Sequence, residues 1–267
     1  MNSPAEIAKI YSDVGAGKTR ISFGRLFVLS ILAGAFIALG GFGSSIASCG
    51  VQPLALGRFM SAAVFPIGLM LVLCAGAELF TGNCLILLSV LDKKASVKGM
   101  LKNWLVVYLG NAVGGIAIAW FVVFSNSIAL YDGQLIAATV KTAVAKSTIP
   151  FTDGLLKGIL CNFMVCLAVW CAFGAKDLQS KIIGSYLPIF LFVLCGFEHC
   201  IANMYFVPAG IFCSAFFKID ANGLSWIAFV VKNLIPVTIG NIIGGSLFVG
   251  AAYWYVYLQG NTAKKFK

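Results

Sequence analysis

The chain has one histidine, His199, preceded directly by Glu198 inside an apolar run from Tyr186 to Phe217. An imidazole can donate a hydrogen bond, move a proton or hold a metal, and a neighbouring carboxylate tunes each of these. A metal site would need further ligands close by. The nine cysteines form no Cys-x-x-Cys pair and fall mostly in apolar stretches, so they read as small buried side chains of a chain made in reducing surroundings, and no metal is expected. Acid–base catalysis by Glu198 and His199 is conceivable. Against it stand the absence of a second histidine and of a soluble cofactor-binding region, so neither an enzyme nor a cofactor is expected. Within an apolar span a histidine can instead give a small anion a hydrogen bond or a proton, lowering the cost of its charge, and the plainer alternative is a neutral imidazole hydrogen-bonded inside the bundle.

The elements that must position this histidine follow from composition. Of 267 residues, 60% are hydrophobic and 10% charged, with a mean hydropathy of +0.97, whereas soluble domains hold about 45–50% apolar and about 25% charged residues. Residues 1–267 therefore read as a single all-α integral-membrane domain. Six apolar regions are predicted to cross the bilayer: Leu26–Ser48, Ala62–Leu91, Leu101–Ser125, Gly154–Ala175, Tyr186–Phe217 and Ile227–Leu258. No cleavable signal peptide is read at the start, and residues 1–25 and 259–267 read as short tails. Lys9, Lys18, Arg20, Arg25, Lys93, Lys94, Lys98, Lys102, Lys176, Lys181, Lys264, Lys265 and Lys267 fall on the side of the termini. Arg58, Lys141, Lys146, Lys157, Lys218 and Lys232 lie opposite or within spans. Both termini are thus predicted to be cytoplasmic, in the cell membrane. The net charge of +10 is explained by basic residues meeting anionic lipid heads, and no nucleic-acid partner is expected.

The second and fifth regions are longer than one crossing needs, and they echo each other. Cys74–Asn83, CAGAELFTGN, lies on Cys195–Asn203, CGFEHCIAN, with Gly76 on Gly196, Glu78 on Glu198 and Asn83 on Asn203. GNAVGG at Gly110–Gly115 lies likewise on GNIIGG at Gly240–Gly245. Three crossings per half make the repeat inverted, a 3+3 arrangement whose interrupted helices meet near the bilayer midplane. Glu78 and Glu198 are predicted to brace the two breaks, accepting amide hydrogens of the interrupted backbone, with proton carriage as the alternative. Thr81, at the first break, offers a hydroxyl that could pass a hydrogen bond across to His199; a helix-terminal threonine satisfying its own backbone is the plainer alternative. An aquaporin-like neutral-solute channel would share this architecture, but the paired Asn-Pro-Ala boxes it would carry are missing.

The segments AGAELFTGN (Ala75–Asn83), KGILCNFMVCLAVW (Lys157–Trp170) and GFEHCIANM (Gly196–Met204) closely resemble the signature stretches of the formate/nitrite transporter family, with formate, nitrite and hydrosulfide channels among its members. The resemblance implies an aquaporin-like protomer with helices two and five broken, a homopentamer and one pore per subunit. It also implies roles. His199 is similar to the family's central pore histidine and Thr81 to the threonine of the first break. Leu79 and Phe192, with Phe65, Leu69 and Val165, resemble the residues that narrow the pore. Asn162 and Asn241 resemble pore-lining asparagines, although both could instead be interhelical hydrogen-bonding groups. Lys146 resembles a vestibule lysine that gathers anions. The implied activity is pH-dependent, passive or proton-coupled passage of a small monovalent anion, formate before nitrite or hydrosulfide.

Overall fold

The computed structural model describes residues 1–262; Lys264, Lys265 and Lys267 lie outside the described residues. Those described contain helices and no strand. Ten helices carry the architecture: α1 (Pro4–Lys18), α2 (Phe23–Ser48), α3 (Leu54–Gly76), α4 (Phe80–Leu91), α5 (Val97–Phe124), α6 (Gln134–Ser147), α7 (Phe151–Gly174), α8 (Leu178–Cys195), α9 (Cys200–Phe217) and α10 (Trp226–Tyr257). Seven of them are long and apolar enough to cross a membrane, and α4 is a shorter apolar helix. In hydrocarbon a helix satisfies its own backbone, so long Leu-, Val- and Ala-rich runs fold this way almost by necessity. Their starts are marked by local caps: Ser96 accepts from Gly99 N, Asp177 from Ser180 N and Ser225 from Ala228 N.

The element order repeats after five helices. In each half a peripheral helix (α1 or α6) precedes a long span (α2 or α7), an interrupted pair (α3–α4 or α8–α9) and a second long span (α5 or α10). The long spans pack most heavily against each other within a half, α2 on α5 and α7 on α10. The repeated Gly-Asn-x-x-Gly-Gly stretch explains that intimacy. A Cβ on Gly114 would strike the carbonyl of Ile31, and one on Gly244 that of Ile159, so only glycine lets the backbones approach this closely. Between halves, α3 and α8 run antiparallel: Arg58 near the start of α3 bonds Leu194 O near the end of α8, and Lys181 near the start of α8 bonds Leu73 O near the end of α3. The two halves are therefore inverted with respect to each other.

Two boundaries differ from the sequence reading, and two helices lie outside the six expected regions. The second region starts at Leu54 rather than Ala62, and the fifth at Leu178 rather than Tyr186. Each extension takes in a basic residue, Arg58 or Lys181, that lines a cavity. Residues read as a tail contain α1, whose Tyr11 is fully buried and bonds Gly82 O at 3.1 Å. The stretch around Lys146, between the third and fourth expected regions, is α6, which buries Leu135, Ile136, Val140 and Ala143 along one face.

Candidate functional site

Each interruption is built the same way. In the first, the end of α3 winds into a wider π turn, Val72–Gly76, and Gly76 at φ 82° turns the chain into extended backbone through Ala77 and Leu79. In the second, Gly196 at φ 71° ends α8 and His199 is extended at φ −111°. Both glycines occupy the left-handed region that a side chain disfavours. Unwinding frees backbone groups in the bundle centre, and asparagine takes them up. Asn111 Oδ1 accepts from Phe80 N at 2.9 Å while its Nδ2 donates to Glu78 O at 2.9 Å and Ser30 O at 2.7 Å. Asn241 Oδ1 accepts from Cys200 N at 2.9 Å while its Nδ2 donates to Glu198 O at 3.0 Å and Gly158 O at 2.7 Å.

The carboxylates are held by side chains instead of the backbone amides expected from sequence. Glu78 takes Lys18 Nζ and Asn83 Nδ2, each at 2.7 Å. Glu198 takes Lys146 Nζ on both oxygens at 2.9 Å and Asn203 Nδ2 at 2.7 Å. A further asparagine closes each ring: Asn103 bonds Asn83 and Lys18 O, and Asn233 bonds Asn203 and Lys146 O. The amides of Glu78 and Glu198 are spent elsewhere, on Leu29 O and Lys157 O. Lysine, glutamate and two asparagines thus recur at matching places in both halves, which extends the repeat to its peripheral helices.

Between the breaks, Thr81 Oγ1 and His199 Nε2 lie 2.9 Å apart, both side chains buried. His199 Nδ1 accepts from Ala202 N at 3.0 Å, so the ring hydrogen sits on Nε2 and points at Thr81. Phe192 stacks on the imidazole at 6.0 Å and Phe65 meets Phe192 edge-on at 5.6 Å. Phe65, Leu69, Leu79, Val165 and Phe192 all belong to one buried apolar cluster. Asn162 ties the first break to α10, donating to Thr81 O at 3.2 Å and Asn241 O at 2.6 Å.

Cavities approach this centre from opposite ends. One of about 650 Å³ runs from Arg58 and Lys141 past Lys146 and Glu198 to Phe65, Phe192 and His199. The other, about 830 Å³, is lined by Lys18, Glu78, Gly76 and Lys181. A small space of about 60 Å³ beside it reaches Leu69 and Leu79. The structure thus brings His199, Thr81 and the apolar residues together between two open ends. Asn241, expected to line a pore, is fully buried with every hydrogen-bonding group committed to backbone, and it faces neither large cavity. Asn162 and Thr81 line neither large cavity as well.

The model of the family described as "Formate/nitrite transporter" matches residues 5–255. The chain belongs to the formate/nitrite transporter family. It is 41% identical to the "Probable formate transporter" of Methanothermobacter thermautotrophicus over 96% of this chain and 97% of that protein. To the "Formate channel FocA" of Escherichia coli K12 it is 36% identical over 97% and 95% of the two chains. A solved structure described as a "Pentameric formate channel with formate bound" superposes with a TM-score of 0.79 at 34% identity, covering 89% of this chain and 98% of that one. As a formate/nitrite transporter family member, the chain is a multi-pass membrane transport protein and not an enzyme. The sequence reading passed over Lys18, Asn103, Asn111 and Asn233 in this member of the family. Asn111 lies in the GNAVGG echo without a role assigned from sequence, and Lys18 lies on a helix that no apolar run marks.

Proposed function

We propose that this protein forms a homopentamer in the cell membrane, with cytoplasmic termini and one pore per subunit, and that each pore passes small monovalent anions of weak acids, formate foremost. The observation that carries the reading is the buried Thr81–His199 hydrogen bond, set in an apolar cluster between two cavities that open at opposite ends. An anion entering such a cluster would lose its hydration, at a cost of several kilocalories per mole or more. His199 Nε2–H and the Thr81 hydroxyl can replace part of that hydration by turning from each other to the anion. His199 acts first as a hydrogen-bond donor. For it to give up a proton, Nδ1 must first take one, and that breaks its bond from Ala202 N. A proton reaching the anion through the cavity turns it into a neutral acid, the form that crosses the apolar cluster most readily.

Asn241 and Asn162 serve this pore by holding the two breaks in register, and Glu78 and Glu198 by anchoring Lys18 and Lys146 at the cavity walls. Flux into proteoliposomes tests the reading. At fixed total formate, flux is expected to rise as pH falls, because the protonated fraction grows. His199→Phe is expected to change both the rate and its pH profile. A wild-type protein that passes no formate, nitrite or hydrosulfide, or a His199→Phe variant with unchanged flux and profile, would refute it.

A further inference from the structure

The cavity leading to His199 contains Arg58, Lys141, Lys146 and a single carboxylate, Glu198. Glu198 spends both oxygens on Lys146. The lysine that the sequence singled out is therefore electrostatically compensated, and the cavity's net charge of two positive units comes from Arg58 and Lys141, for which no ion pair occurs among the described residues. Arg58 is also fixed in place. Its Nε donates to Leu194 O at 2.7 Å, at the last turn of α8, where the helix dipole favours a cation. Its guanidinium lies over Gly196, and a Cβ there would collide with Nη2.

The inverted half repeats the device. Lys181 donates to Leu73 O at 2.8 Å, at the end of α3, and lines the opposite cavity. There Lys18 is compensated by Glu78, leaving Lys176 and Lys181 against Asp177. Hydrogen bonds from the Ser180 backbone and hydroxyl hold the Asp177 carboxyl below the ordinary carboxylate range, so it stays ionised. Each interrupted helix thus sends a cation from its start to the broken end of the other, and that cation stands in the cavity beside the break.

We propose that Arg58, with Lys181 as its counterpart in the other half, is the anion-capturing residue of its cavity: it draws small carboxylates or inorganic oxyanions towards the break while pinning the end of α8. The proposal rests on the anion-transport reading above. A low-dielectric cleft concentrates the field of an uncompensated charge, and such focusing raises anion entry by about tenfold or more.

Two measurements test it. In the first, formate flux into proteoliposomes is recorded against concentration at low and high salt. Arg58→Gln is expected to raise the half-saturating concentration about three- to tenfold and to flatten its salt dependence, with a smaller loss in maximal flux. Arg58→Lys is expected to restore both, and Lys181→Gln to act on flux in the opposite direction. Equal loss of maximal flux in Arg58→Gln and Arg58→Lys, with half-saturation unchanged, would make Arg58 a brace only and overturn the proposal.

The second measurement needs no transport. A cysteine placed in the same cavity by Thr142→Cys is reacted with an anionic and a neutral thiol reagent of similar size, and the modified peptide is quantified by mass spectrometry. The anionic-to-neutral rate ratio is expected to fall several-fold on adding Arg58→Gln and to be kept by Arg58→Lys. An unchanged ratio overturns the proposal. A ratio that falls in a protein passing no anion would overturn the transport reading and leave the charge assignment standing.

Discussion

At the scale of single residues, the two rings around Glu78 and Glu198 decide which side chains are free to meet an anion. Lys146 and Glu198 have side chains only 17% and 11% exposed, so removing one partner strands the other's charge in a poorly hydrated place. Breaking such a pair costs about 3–5 kcal/mol, while replacing both partners together costs far less. Glu198→Gln and Lys146→Met are each expected to lower the thermal midpoint of the detergent-purified protein markedly. The double variant is expected to be more stable than either single one; strict additivity would mean that the pair is not coupled. The sequence disclosed both glutamates and their need for partners, because a carboxylate deep in an apolar run cannot stand alone. It did not disclose the partners. Lys18 and Lys146 reach their glutamates from helices 60 and 52 positions away, a distance along the chain that no local pattern bridges. Asn241 illustrates the other limit: a buried asparagine in a pore family can serve solute or backbone, and only its three backbone partners decide between them.

At the scale of elements, the interruptions were legible because two glycines, two glutamates and two asparagines recur at one spacing, whereas α1 and α6 were missed. Both are amphipathic and carry lysines, and a search for apolar runs passes over them. Local signals did exist. Ser3 and Glu6 form a capping box at the start of α1, and the residues buried on α6 recur at helical spacing from Leu135 to Ser147. The two breaks also differ in a way the sequence conceals. Gly76 has open space where a Cβ would go, while Gly196 has the Arg58 guanidinium. Gly76→Ala is therefore expected to cost only the backbone strain of a left-handed alanine, about 1–2 kcal/mol. Gly196→Ala adds the displacement of Arg58 from Leu194 O and is expected to be the more damaging in both thermal midpoint and flux. Equal effects at the two positions would show that Arg58 moves aside freely.

At the scale of the whole molecule, the decisive feature is that both halves of the proposed pore centre come from one chain. Thr81 and His199 are 118 positions apart, yet their bond is internal to the protomer, and the asparagines that hold the two breaks also bond within it. Under the proposed function, an inverted repeat of this kind closes a transport path inside each subunit, so the proposed pentamer multiplies paths instead of creating one along the central axis. The consequence can be measured by reconstituting pentamers that mix wild-type and His199→Phe subunits in known proportion. If each subunit conducts independently, an equal mixture retains about half of the wild-type excess flux over the pure variant, and the loss is linear in variant fraction. A path shared by all subunits would instead lose nearly all of its flux in the same mixture, because few pentamers would hold only wild-type chains. The contacts between the two breaks place the expected result at the linear limit. A steep curve would mean that the Thr81–His199 centre is not where the anion crosses.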